Sequence, residues 1–293
     1  MSQPARRFPR GYRVDQAQGG RFYVWNNEKY WSVTTIIGGG LPKPALLPWG
    51  IKMVAEGATK LAEKMPTLLE ELGEDGLIRH LKGLPYASRD KAGNLGSRVH
   101  EAAEAYALER PYPEWSEDER PYLEGFVSWL DDFRPSFIAV EAPVFSKTER
   151  YAGTLDAIVE LDHPGLGLGL MFGVEEDRPL KILVDYKTGK GVYPEVGLQL
   201  AAYRYAETFL GLPDASESPM PKLDGAAVLH LKKSGGYSFL PVKADESLFR
   251  AFLYCREVFR FQEELSRSVV GSELKPPPRP VAATVVPKGV GEP

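Results

Sequence analysis

An acid and a lysine two residues apart, Asp185 and Lys187, close the apolar run Ile182-Leu183-Val184. In an extended strand both side chains leave on the same face, so a carboxylate fit to hold a divalent cation stands beside an ammonium that reaches the same phosphate. That pairing suits metal-assisted hydrolysis of a phosphodiester. Taken alone, such a triplet is more often a solvated ion pair at a strand end. Its company changes the reading. Gly153-Thr154-Leu155-Asp156 opens a second apolar segment, 151–161, with an inward acid, and the stretch 137–145 sets Glu141 among apolar neighbours, where a charge is costly unless paired or metal-bound. His100 lies in a helical segment over about 86–109. Gln199 and Tyr203 stand four apart in a second helix, on one face.

The order is therefore helix with His, strand with Glu, strand with Gly-x-x-Asp, strand with Asp-x-Lys, helix with Gln-x-x-x-Tyr. In this order the chain resembles the PD-(D/E)XK nuclease superfamily, in its RecB-like branch, over roughly residues 85–265. Trp31–Ile37, Leu41–Leu46 and Trp49 also look like the opening of phage members of that branch. The resemblance implies a restriction-endonuclease-like α/β core. It also implies Mg²⁺ or Mn²⁺ held by His100, Asp156, Asp185 and the carbonyl of Tyr186. Lys187 would hold or activate water, Gln199 and Tyr203 would support the lysine and the DNA, and Glu141 would back the site or serve a second ion. The implied activity is a metal-dependent DNA nuclease, with an exonuclease of phage or bacterial recombination or repair expected. Two alternatives stay open: an inactive nuclease-fold protein that binds DNA or supports an assembly, and a nuclease acting on RNA.

Composition narrows the field. The fractions of apolar and charged residues are ordinary for a globular domain. Cys255 is the lone cysteine, so neither an intramolecular disulfide nor the four-cysteine Fe–S cluster of some RecB-like nucleases can form within the chain. There is no G-x-x-x-x-G-K-[ST] loop, so no bound nucleotide is expected, and the Gly-rich stretch 163–170 reads as an insertion between strands. No apolar run approaches the roughly 20 residues of a spanning helix, and Met1–Arg7 leads into polar sequence; a cytoplasmic protein without a membrane partner is the expectation. The net charge of −4 does not exclude nucleic acid, because it divides into +6 over residues 1–100, −12 over 101–180 and +2 over 181–293. Arg89, Lys91 and Arg98, close to His100 in sequence, are the expected contacts to DNA phosphates.

The elements follow from periodicity and punctuation. Residues 1–20 are expected to be loosely ordered. A hairpin is expected over 21–37 around Asn26-Asn27, then helices over about 45–82, 86–109 and 116–133. Strands at about 137–145, 151–161, 180–187 and 225–242 should form a central mixed sheet flanked by the His100 and Gln199 helices. A last helix is expected over 245–268, capped by Asp245. The predicted organisation is an N-terminal hairpin and helical region (1–84), a nuclease core (85–268) and a Pro-rich disordered tail (269–293), the tail a possible dock for a recombination or replication protein.

Overall fold

The structure, a computed structural model, describes residues 7–8, 11–16, 20–107, 109–111, 114–162, 169, 172–174, 178–210 and 216–275; the side chains of 7–16 and 89–92 lie outside the description. It is an α/β fold: a mixed, mostly antiparallel sheet with helices on both faces. The strands are β1 (Arg7–Phe8), β2 (Gly11–Gln16), β3 (Gly20–Trp25), β4 (Glu28–Ser32), β5 (Ser136–Ser146), β6 (Tyr151–Leu161), β7 (Leu180–Lys187), β8 (Thr208–Leu210), β9 (Glu217–Pro219), β10 (Gly225–Leu231) and β11 (Tyr237–Val242). The helices are α1 (Val33–Gly40), α2 (Leu46–Lys60), α3 (Met65–Ala107), α4 (Arg120–Phe133), α5 (Val196–Arg204) and α6 (Glu246–Arg260).

Two apolar layers sandwich the sheet. On one face, α1, α5 and α6 bring Ile36, Leu200 and Phe252 against Leu155, Ile158 and Leu183. On the other, α3 and α4 bring Val99, Phe126 and Trp129 against Ala157, Val159, Ile182, Val184 and Tyr186. Helix α4 buries Tyr122, Phe126, Trp129 and Leu130, the i, i+4, i+7, i+8 spacing of a core-facing stripe. It ends at Arg134 in the left-handed region, just before Pro135, which cannot continue a helix. Helix α6 starts at Asp245, whose carboxylate accepts the N–H groups of Ser247 and Leu248.

The N-terminal part departs from the sequence expectation in three places. The hairpin turns at Asn26-Asn27, both at positive φ as its geometry requires, but β4 stops at Ser32. Val33–Ile37, whose β-branched residues suggest a continuing strand, instead begin α1, because the Ser32 hydroxyl caps the Thr35 N–H and Val33, Ile36 and Ile37 then share a buried side. Residues 7–8 and 11–16 are strands rather than loose chain, β2 pairing with β3 along its length. Helix α3 runs through position 84, kinked at Gly73 (φ +67°), and β4 pairs with β6, so hairpin and core share one sheet. The Gly-rich stretch at 163–168 and the tail from 276 lie outside the described residues, and so do the expectations placed on them.

Candidate active site

Strand β6 carries the architecture of the site. One of its edges is paired with β5 from Tyr151 to Glu160. The opposite edge is shared: β4 pairs with Tyr151 and Ala152, and β7 pairs with 157–161. β4 runs parallel to β6 and β7 antiparallel, so the carboxyl ends of both point into the gap between them, which spans Gly153–Asp156. Crevices at carboxyl ends of strands are where α/β sheets bind ligands.

Side-chain alternation breaks at the same place. In β6, Leu155 and Ile158 lie on one face although three residues apart, with Ala157 and Val159 on the other. In β5, Ala139 and Ala142 likewise share a face at an interval of three. The pairs Val140–Ala157 and Ala142–Leu155 put Glu141 directly across from Asp156 at this rung, and Glu141 has φ +47°. A left-handed residue inside a strand is strained by roughly 1–2 kcal/mol and changes where its side chain points. Glu141 thereby meets His100 of α3: His100 Nδ1 lies 2.6 Å from Glu141 Oε1 and 3.4 Å from Asp156 Oδ1. His100, Glu141 and Asp156 offer ligand atoms that all lie within 4.8 Å of one another.

Beside this triad stands a second group. The β6–β7 ladder stops at Ala157–Val184, and the Tyr186 N–H donates to Asp156 Oδ2 at 2.7 Å. One residue earlier in β7, Asp185 Oδ2 lies 2.5 Å from Lys187 Nζ while its Oδ1 accepts from Gln199 Nε2 at 2.7 Å. Asp156 and Asp185 are both buried. Burial drives the Asp156 carboxyl up, against the pull of His100 and Lys187. Burial likewise pushes Asp185 up to about 6, with Lys187 opposing. For His100 burial works downward, but the charges of Asp156, Glu141 and Asp185 outweigh it and raise the imidazole to about 9. Lys187 follows the same balance: desolvation lowers it, and Asp185 and Asp156 more than compensate. The site thus concentrates carboxylates that hold positive charge in place.

The sequence-predicted residues divide by what they contact. His100, Glu141 and Asp156 converge as one possible ligand group, with Glu141 in it and Asp185 held to Lys187 and Gln199 instead. Gln199 bonds the Asp185 carboxylate directly, so its link to Lys187 runs through that acid. Tyr203 packs on the strand itself: a Cβ on Gly153 would stand 2.4 Å from its ring, so only glycine fits beneath it. The Tyr186 ring stacks edge-on to His100 and Phe126. Arg98 is engaged elsewhere, pairing with Glu101 at 2.9 Å and Glu119 at 3.3 Å, so its guanidinium fastens α3 to the segment before α4. The side chains of Arg89 and Lys91 lie outside the described residues.

Two residues escaped sequence reasoning. Tyr23 of β3, buried, places its hydroxyl 2.8 Å from Thr154 Oγ1, so the N-terminal hairpin grips the Gly153–Asp156 segment directly. Glu195, at the end of the loop after β7, acts electrostatically on Lys187. The hairpin gave only a hint, an aromatic alternating inward. No protein-family model matches the chain, and no curated protein matches it.

Proposed function

We propose that this protein is a metal-dependent nuclease of the PD-(D/E)XK superfamily, RecB-like branch, that hydrolyses phosphodiester bonds in DNA, and that it works as an exonuclease in phage or bacterial recombination or repair. The observation that carries the reading is convergence: motif residues spread from position 100 to 203 gather at one break in the sheet, with a His–Glu–Asp ligand group and an Asp–Lys–Gln group side by side. Three acids, two of them buried, around one imidazole and one ammonium make a donor set suited to Mg²⁺ or Mn²⁺, with the imidazole favouring Mn²⁺. His100, Glu141 and Asp156 would hold the ion, with Asp185 at its border. Bound there, the ion would neutralise the scissile phosphate and lower the pKa of water.

The chain's own groups do the rest. Lys187 stays protonated beside Asp185 and presents a fixed positive charge to a phosphate oxygen or to the attacking water. Gln199 fixes the Asp185 carboxylate so that the ammonium has one place to sit. The decisive experiment incubates plasmid, linear duplex, single strand and RNA with Mn²⁺, Mg²⁺ or EDTA. Cleavage of DNA that requires the metal and disappears in Asp156→Asn is expected. Loss of no substrate under any condition would leave only a binding role.

A further inference from the structure

The loop from Lys187 to α5 leaves the site directly, and the segment before α2 is tied to that loop. Lys43, just before α2, pairs with Glu195 at 3.6 Å, and Glu195 in turn acts on Lys187. Each of the two segments this link joins carries an aromatic residue that the core does not use: Trp49, in the first turn of α2, is 39% exposed, and Tyr193, two residues before Glu195, is 63% exposed. No residue of α2 is buried, so its apolar side chains are not explained as packing against the sheet. Lys190 lies in the same loop, exposed.

Exposed rings on the loop that leaves Lys187 and on the segment tied to it, with Lys43 and Lys190 in the same two segments, match one ligand. We propose that Trp49 and Tyr193 stack on unpaired bases of the polynucleotide whose phosphodiester approaches Lys187, so that the site takes a single strand or a frayed end. This rests on the nuclease reading and names its substrate form. In a duplex the base faces are covered by their neighbours, so rings of this kind select unpaired nucleotides. The chemistry is common to DNA and RNA, which the experiment separates. Tyr254, 73% exposed on α6, shares neither the Lys43–Glu195 link nor the loop after β7 and serves as the control ring.

The test uses the full chain in EDTA, where no cleavage intervenes, and measures binding of a labelled single-stranded DNA, the same sequence as RNA, and a blunt duplex. Single strands should bind more tightly than the duplex. Trp49→Ala and Tyr193→Ala should each weaken single-strand binding by ~5- to 100-fold, as removal of one stacked base does. Trp49→Phe should keep most of the affinity and Tyr254→Ala all of it. Indole fluorescence should be quenched by single strands in the wild type and far less in Trp49→Phe. Wild-type affinity in Trp49→Ala, an equal loss for blunt duplex, or quenching that grows with protein concentration before nucleic acid is added, which marks a second copy on this face, would each overturn the proposal. A protein that cuts nothing in Mn²⁺ yet loses single-strand affinity in Trp49→Ala would sink the nuclease reading while leaving the stacking intact. The reverse pattern, duplex cleavage with unaltered Trp49→Ala binding, would sink the stacking alone.

Discussion

Asp185 and Lys187 share one face of one strand, yet their substitution should separate two quantities. Asp185→Asn removes a charge that borders the ligand group and holds the ammonium, so Mn²⁺ affinity and cleavage should fall together. Lys187→Ala removes a positive charge from among the acids, so Mn²⁺ should bind as well or better while single-turnover cleavage drops by orders of magnitude. Calorimetric titration and a quench experiment on both variants check this. His100 predicts the pH dependence. Its raised pKa, about 9 against 6.5, means that without metal its pairing with the acids stabilises the fold fully below pH 6.5 and is lost as pH rises through about 9. A metal must displace that proton, so affinity should climb with pH up to about 9 and each ion bound below it should release a proton, read from binding heats in buffers of different ionisation enthalpy. Glu141 separates backbone from ligand. Glu141→Gly and Glu141→Ala both remove the carboxylate and should weaken metal binding alike, but glycine accepts φ +47°, so urea unfolding should find it the more stable by about 1 kcal/mol.

At the scale of elements, Gly153 and Tyr203 are a fitted pair. Gly153→Ala drives a methyl into the ring of Tyr203, buried on α5, and should cost on the order of 1–3 kcal/mol, since neither partner has room to move. Thermal unfolding of that variant against Gly153→Ala/Tyr203→Leu, where the shorter side chain makes space, checks it. Much of this level was legible beforehand. Strands 151–161 and 180–187 are found at the residues their apolar runs indicate, because both faces are buried and the hydrophobic signal is continuous. The helix carrying Gln199 follows from spacing in the same way, whereas the one carrying His100 starts at Met65 and runs through Pro85 instead of starting near 86. What could not be read were long-range events. Whether Val33–Ile37 ends as strand or helix depends on the Ser32 cap and on the packing of α1 against α6, where Gly40 lies so close to the Cys255 backbone that no side chain fits. The pairing of Arg98 with Glu119, and the inversion of alternation at Glu141 and Asp156, also arise from partners distant in sequence.

Over the whole molecule, the sheet manages its borders with proline: Pro219 in β9 and Pro241 in β11 withhold donors where another strand would add. No helix among the described residues is long and apolar enough to cross a membrane. The proposed ligand group is assembled from three separate elements and would exist only in the folded chain, so Mn²⁺ at a hundred times its dissociation constant should stabilise the protein by about 2.7 kcal/mol. EDTA should reverse the rise in melting temperature, and Asp156→Asn should abolish it. The gap in the edge of β6 has one more consequence, in time rather than space. Its two sides are β4, finished by Ser32, and β7, which ends at Lys187, and the Tyr23–Thr154 bond across it joins residues 131 apart. Closing loops of that length is slow. During synthesis the early hairpin must wait for more than a hundred residues before it has a strand to join, and the acids meet their lysine only when β7 arrives. The growing chain therefore carries no assembled centre until most of it has been made.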